Sequence, residues 1–358
     1  MFDVFITTNG PGEIATWVTP VVKELKSRRD DIRISLFIQP CRFATGTEEE
    51  IAHNIPEIDY VFRTTDFKKR LIHLPFHHSK KGVVIFLGGD LFSALLLKLR
   101  YGYKAIAYTE GDQSWKFAYD AFLTRDVDGD LMYAYFEHTD IDEAMVRTLR
   151  RNTNIVFFPG SRPEQFKYLF PLFQRVARFI PPEYTCLFNV SSFIPDAMIE
   201  EYTLDHQAPL KLYKGKSPEL MKSAELAVTI PGTNNIQLAY LNIPSLIVFP
   251  FNYPEVVQFK GLLGAIMNLP FLKTTGKKWL LGYLDKKVKF TSLVNVKEKK
   301  LIFPELRGTL SEEQIATEIT AQIKNYSQLR EIQKTLSALN KKSSALDLIC
   351  YKVKEFLD

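Results

Sequence analysis

Apolar and polar positions alternate along this chain between two periods. Runs at 3–8, 33–38, 83–87 and 104–108 have the continuous apolar character of strands buried on both faces. The stretches 17–28 and 93–101 repeat their apolar residues at helical spacing. This alternation predicts a parallel sheet covered by helices. After an irregular stretch at 126–142 the pattern restarts, with strands at 154–158, 185–190, 226–230 and 245–249 and helices at 168–179, 218–223 and 236–241. A second doubly wound α/β domain is therefore expected from about residue 150. From 311 to 358 two long helical patterns follow without a strand between them. The expected organisation is two Rossmann-like domains, 1–150 and 151–325, facing a cleft at the carboxyl ends of their strands, with helices at 326–358.

Three turns that carry glycine follow predicted strands, so each can face that cleft. The first is Asn9-Gly10-Pro11-Gly12-Glu13. The second, Pro159-Gly160-Ser161-Arg162-Pro163, runs from an apolar strand into a helix. Gly160 permits a tight turn there, Ser161 and the helix amides can donate hydrogen bonds, and Arg162 adds a forked cation. The third is Ile230-Pro231-Gly232-Thr233-Asn234-Asn235, again between strand and helix. Each alone reads equally as a plain strand-to-helix connection. Together they suggest a site for a nucleotide diphosphate.

At 358 residues the chain exceeds what one ordinary core supports, in keeping with two domains. Its composition, 46% hydrophobic and 24% charged, is that of a folded soluble protein. No apolar run reaches the length of roughly 20 residues that spans a bilayer, and Met1-Phe2-Asp3 leads directly into a strand, so the expectation is a cytoplasmic protein. Cys41, Cys186 and Cys350 suit neither a disulfide framework nor a zinc site.

The net charge of +5 is unevenly placed. Lys68, Lys69, Arg70, Lys80 and Lys81 fall within 67–82 without an acidic residue, interleaved with Leu71, Ile72, Leu74, Pro75 and Phe76. Cationic and apolar groups combined in this way suit an anionic membrane surface, with Lys68, Lys69, Arg70, Leu74 and Phe76 as its contacts. A solvated basic loop is the plainer reading. Nucleic acid is not expected, because aromatic stacking platforms are missing from this stretch.

The ordered series of motifs resembles the lipid-A-disaccharide synthases, glycosyltransferases of the GT-B architecture that use a UDP-linked acylated glucosamine. The resemblance is carried by Gly12-Glu13-Ile14, Asp90-Leu91-Phe92, Tyr108 through Trp115, Pro159-Gly160-Ser161-Arg162 and Pro231-Gly232-Thr233. It continues with Ser292-Leu293-Val294-Asn295 and Phe303-Pro304-Glu305-Leu306. It implies an inverting transfer of a GlcNAc-type sugar, acylated in the family, from a UDP-sugar to a lipid-linked acceptor at the inner membrane face. It also implies helices at 326–358 that pack back on the first domain, and it leaves room for a homodimer.

Departure of the diphosphate needs backbone dipoles, hydroxyls and basic groups, for which Gly160, Ser161, Arg162, Gly232, Thr233, Asn234, Asn235 and Gln237 are the candidates. No Asp-x-Asp stands where a divalent metal would be expected, so neither a metal nor another cofactor is expected. The acceptor hydroxyl needs a carboxylate. Asp90 is the first choice, on the position of the family's essential aspartate, and Glu13 the second. An N-cap and a first-turn helix acid are their plain alternatives. Gly10, Gly12, Trp17 and Tyr108 are placed on the acceptor side.

Two departures from the family pattern bear on specificity. Where the family continues Gly-Glu-x-Ser-Gly-Asp, this chain has Gly12-Glu13-Ile14-Ala15-Thr16-Trp17, and Gln237 replaces a family carboxylate on the donor side. Both point to a divergent member whose product need not be lipid A disaccharide. The alternatives are a UDP-GlcNAc 2-epimerase-like enzyme and a catalytically silent nucleotide-sugar-binding protein.

Overall fold

The computed structural model describes residues 1–39, 48–63, 65–66, 78–137, 139–192, 194–205, 210–253, 288–339 and 344–358. They form two compact units, Met1–Asp140 with Lys341–Asp358, and Ile141–Asn340. Each unit is built on a six-stranded sheet in which every pairing is parallel.

The first sheet consists of β1 (Phe2–Thr8), β2 (Ile32–Ile38), β3 (Tyr60–Phe62), β4 (Gly82–Phe86), β5 (Lys104–Thr109) and β6 (Ala121–Thr124), in the order β3-β2-β1-β4-β5-β6. The second consists of β7 (Asn154–Phe158), β8 (Thr185–Val190), β9 (Leu212–Lys214), β10 (Leu226–Thr229), β11 (Ser245–Pro250) and β12 (Glu305–Gly308), in the order β12-β11-β10-β7-β8-β9. Both have the doubly wound order, reversing direction between their first and fourth strands.

Alternation along the central strands builds both faces of the first sheet. Val4 and Ile6 of β1, with Val83 and Ile85 of β4, join a core under the helices Thr19–Arg28 and Ala345–Leu357. Phe5, Val84 and Phe86 point to the opposite core, under the helix Leu91–Tyr101. In the second sheet Phe157 stacks on Phe188 of the neighbouring strand, with ring centroids 5.2 Å apart.

The four strands absent from the sequence expectation, β3, β6, β9 and β12, are the four edges of the two sheets. Each is three or four residues long and only partly buried, so it lacks the long apolar run that marks an interior strand. The stretch at 126–142 contains the helices Arg125–Asp128 and Leu131–Glu137. The helix expected from residue 17 begins at Pro11 and passes through a π-helical turn at Ile14–Val18 before continuing as Thr19–Arg28. The Thr16 and Thr19 hydroxyls donate to the carbonyls of Gly12 (2.8 Å) and Ile14 (3.0 Å) along this widened turn.

After residue 311 there are three helices instead of two. Glu312–Lys324, begun by a capping box of Ser311 and Gln314, and Tyr326–Leu339 stay with the second unit, and Ala345–Leu357 packs in the first. Among the described residues no helix is long and apolar enough to cross a membrane.

Candidate functional site

The doubly wound order gives each unit one point where loops leave adjacent strands toward opposite faces of the sheet. In the first unit the loops at that point are Asn9–Glu13 after β1 and Leu87–Asp90 after β4. In the second they are Pro159–Arg162 after β7 and Ile230–Thr233 after β10. All three glycine-bearing turns singled out in the sequence, and the segment ending at Asp90, thus occupy the two switch points.

A pocket of about 200 Å³ opens at the first switch point, with Asn9, Glu13, Trp17, Gly88, Gly89 and Tyr108 among its walls. A Cβ at Gly10 would meet the Glu13 carboxylate folded back over it, so a larger residue there would displace this side chain. Gly12 has no such neighbour and lies in the helical turn. Trp17 sits in the π-helical turn and packs edge-on against Tyr108, with centroids 5.2 Å apart. Its indole Nε1 is buried and finds no hydrogen-bond partner among the described residues.

Tyr108 shapes this wall through its ring. Its hydroxyl is committed to backbone, donating to Gly129 O and accepting from Leu131 N, both at 3.1 Å, and burial together with Asp130 raises its pKa far above that of an ordinary phenol. The tyrosine placed on the acceptor side therefore contributes a surface and holds its proton for the fold.

Asp90 lies between two pocket residues, Gly89 and Leu91, and is exposed. It is also the N-cap of Leu91–Tyr101, with Oδ2 accepting from the Ser93 amide (3.0 Å) and hydroxyl (2.9 Å). Its backbone is clamped by Gln39, which follows β2. The Asp90 amide donates to Gln39 Oε1 (2.7 Å), and Gln39 Nε2 donates to the Asp90 carbonyl (3.4 Å). Gly89, at φ +97°, has Gln39 where a side chain would stand, so this glycine is demanded by both space and conformation. Gln39 is almost fully buried and went unnoticed in the sequence, where an isolated glutamine after a strand carries no signal.

In the second unit Gly160 adopts φ +102°, and a Cβ there would press on Gln165 at 2.9 Å. Arg162 is the N-cap residue of the 15-residue helix Pro163–Ala177, with extended backbone and Pro163 in the first turn. Ser161 and Arg162 are exposed at the carboxyl end of β7, where the positive end of the helix favours an anion.

The turn after β10 departs from expectation at one residue. Asn235 is fully buried and braces the turn from within, accepting from Gly232 N (3.3 Å) and donating to Ile230 O (3.0 Å). The Gly232 amide and the Asn235 side chain, both assigned to the donor, are therefore engaged internally. Thr233 is exposed, and Asn234 and Gln237 are half-buried. Asn235→Ala is expected to cost about 1–3 kcal/mol, because it takes the partner from the Gly232 amide and leaves the Ile230 carbonyl only the long bond from the Thr229 hydroxyl (3.4 Å). Urea unfolding checks this, and an unchanged midpoint would show that the turn does not need its brace.

The later motif residues also serve the fold. The Glu305 carboxylate accepts from the amides of Thr291 (2.9 Å) and Ser292 (3.0 Å) and from Asn295 Nδ2 (2.8 Å), tying β12 to the helix Leu293–Glu298. Burial pushes the Cys186 and Cys350 thiols up to about 12, which keeps both protonated and unsuited to act as nucleophiles at neutral pH. Cys41 and the membrane candidates Lys68, Lys69, Arg70, Leu74 and Phe76 lie outside the described residues.

Two doubly wound parallel units define the GT-B class of fold. Solved structures with this arrangement include MurG of Acinetobacter baumannii, with TM-score 0.50 and 10% identity over 99% of this chain and 100% of that one. A putative UDP-N-acetylglucosamine 2-epimerase from Listeria monocytogenes gives TM-score 0.53 at 10% identity, over 93% and 91% of the two chains.

In sequence the chain is similar to lipid-A-disaccharide synthases at low identity. That of Syntrophus aciditrophicus is 24% identical over 196 residues, 53% of this chain and 45% of that protein. That of Gloeothece citriformis is 34% identical over 107 residues, 27% and 26% of the two. The matches thus span less than half the length of these relatives. No family model matches the chain.

Proposed function

We propose that this protein is an inverting glycosyltransferase that moves a sugar from a UDP-sugar to a lipid-linked acceptor, working as a peripheral protein on the inner, cytoplasmic membrane face. The observation that carries this reading is that four of the seven motifs that resemble lipid-A-disaccharide synthases, those at Gly12-Glu13, Asp90, Pro159–Arg162 and Pro231–Thr233, fall on the switch points of the two sheets, where a doubly wound fold binds its ligands.

In this reading the second unit holds the donor. Ser161, Arg162 and the amides opening Pro163–Ala177 face the diphosphate, and Thr233, Asn234 and Gln237 line the other side. The first unit holds the acceptor in the pocket walled by Glu13, Trp17 and the ring of Tyr108. The acceptor oxygen attacks the anomeric carbon as the bond to UDP breaks, and its proton passes to a carboxylate, Asp90 or Glu13. Negative charge accumulates on the leaving diphosphate, where Arg162 and the helix amides are worth most. No metal is needed to complete this arrangement, and activity is expected to survive EDTA. The basic, apolar stretch at 67–82 contributes to membrane attachment.

A thermal-shift screen with UDP, UDP-GlcNAc, UDP-glucose, GDP and ADP tests the donor half, since a ligand bound only by the folded state raises its stability. A shift selective for uridine nucleotides is expected. Arg162→Ala is expected to weaken UDP binding by about 10-fold or more, through loss of a charge-assisted contact. Unchanged affinity would remove Arg162 from the site. Incubation with UDP-GlcNAc alone separates the epimerase reading, which yields an epimer without acceptor. A protein that binds UDP-sugars but turns none over with any lipid acceptor would be a silent binder. Among the described residues the walls of the acceptor pocket include no histidine, which favours transfer over epimerisation.

A further inference from the structure

Beside the acceptor pocket the first unit carries an exposed aromatic cluster that the reaction does not use. Phe92 and Trp115 are each 43% exposed and Phe117 is 86% exposed. Their rings touch in series, with centroids 5.1 Å apart from Phe92 to Trp115 and 6.1 Å from Trp115 to Phe117. Water-facing aromatic rings in mutual contact are costly to maintain and mark a surface that meets something apolar.

The backbone supports the same conclusion. Trp115 stands at φ +60°, a left-handed conformation that a bulky residue rarely adopts, and is followed by the short 3₁₀ turn Lys116–Ala118. The fold thus keeps an uncommon conformation at the residue whose ring joins Phe92 to Phe117. Leu91 and Asp112, both walls of the pocket, are close in sequence to Phe92 and Trp115, which ties the cluster to the site.

Charge indicates which apolar surface it is. Two of the neighbouring acids are ion-paired within the unit, Glu110 with Arg125 (2.8 Å) and Asp120 with Lys98 and Lys104 (2.9 Å each), and Asp112 and Asp90 accept from the amides of Ser114 (2.8 Å) and Ser93 (3.0 Å). Exposed Lys116, between the two most prominent rings, has no carboxylate partner among the described residues, and its ammonium lies 6.0 Å from the Phe122 ring centroid. A cation set between aromatic rings on a tight turn matches a lipid interface, where rings enter the acyl boundary and an ammonium meets headgroup phosphates.

We propose that Trp115, Lys116 and Phe117, together with Phe92, form a docking surface for an anionic lipid bilayer beside the acceptor pocket. This rests on the transferase reading in one respect, that a lipid-borne acceptor must be met where its head can enter the pocket.

The test is flotation of the full chain with phosphatidylcholine vesicles, with and without phosphatidylglycerol, alongside quenching of tryptophan fluorescence by lipids brominated in their acyl chains. Wild type is expected to float with the anionic vesicles and to be quenched. Trp115→Ser/Phe117→Ser is expected to lose at least about tenfold in partitioning, and Lys116→Glu to lose binding in a salt-dependent way. Both variants are expected to keep the UDP-induced thermal shift, which shows that they are folded.

Equal flotation and quenching in wild type and both variants would overturn the proposal. So would a double variant that floats normally but changes the oligomeric state of lipid-free protein, since the patch would then belong to a second copy of the chain. If vesicle binding depends on the turn while no UDP compound shifts even the wild type, the docking surface stands and the transferase reading falls.

Discussion

Asp90→Asn is expected to fold as the parent does, to bind UDP with the same affinity and to lose about 10²–10⁴-fold in turnover, the range for loss of a general base. The substitution separates the two roles that the geometry assigns to this residue. Asparagine caps a helix about as well as aspartate, so the bonds to Ser93 and the clamp from Gln39 survive, while the negative charge that would receive the acceptor proton is gone. Asp90→Ala would remove both, and its loss of activity could not be assigned to chemistry.

Steady-state transfer, with UDP affinity measured in parallel, decides the matter. Full turnover in Asp90→Asn would leave Asp90 as a cap only and move the proton to Glu13, which lines the pocket itself. Glu13→Gln would then be the variant to lose turnover.

Asp3→Ala is expected to cost about 3 kcal/mol of stability while leaving UDP binding by the folded protein unchanged. Asp3 is fully buried near the amino end of the interior strand β1, at the opposite end of the strands from the pocket. Its Oδ1 accepts from Arg33 Nε (2.9 Å) and Nη2 (2.7 Å), and its Oδ2 accepts from the Ser79 amide (2.6 Å). The Tyr103 hydroxyl lies 2.9 Å from the same Oδ2 and 2.7 Å from the Ser79 carbonyl. Burial, and next the Asp3 charge, raise the Tyr103 pKa well beyond its ordinary value, so it stays protonated to serve this carboxylate.

Removing Asp3 takes the acceptor from the part-buried Ser79 amide and the carboxylate from the largely buried Arg33 guanidinium, while the Tyr103 hydroxyl keeps the Ser79 carbonyl. The arginine retains some access to water, so the expected loss lies at the lower end for a broken buried pair. Adding Arg33→Met should recover the share due to the cation that has lost its carboxylate but not that of the Ser79 amide. Urea unfolding of the single and double variants checks this, and equal stability of Asp3→Ala and the parent would show that the network is not a fold determinant.

Some of this protein follows from local chemistry. The eight interior strands of the two sheets lie where continuous apolar runs stand, because a strand buried on both faces must be apolar throughout. Gly89 and Gly160 mark turns for a reason that belongs to glycine itself, a backbone at positive φ beside a neighbour that leaves no room for a Cβ. Asp90 before Leu91–Tyr101 has the chemistry of an N-cap whatever else it does.

Other features depend on partners distant along the chain. The edge strands β3, β6, β9 and β12 are too short and too polar to stand out, and they form because an interior strand offers them a ladder. Asn235 and Asn234 are the same residue side by side, yet one is sealed inside the turn and the other is half-buried; only the path of the backbone after β10 distinguishes them. Gln39 clamps Asp90 across 51 positions, Tyr103 reaches Asp3 across 100, and the cluster of Phe92, Trp115 and Phe117 joins the start of one helix to a later turn. By itself the sequence determined the strand-and-turn alternation and the residue types at the switch points, because periodicity and glycine chemistry act over a few neighbouring residues. Only the tertiary structure decided which polar side chains face a ligand and which brace the fold, because a buried polar group is satisfied by whatever the folded chain brings within hydrogen-bond reach.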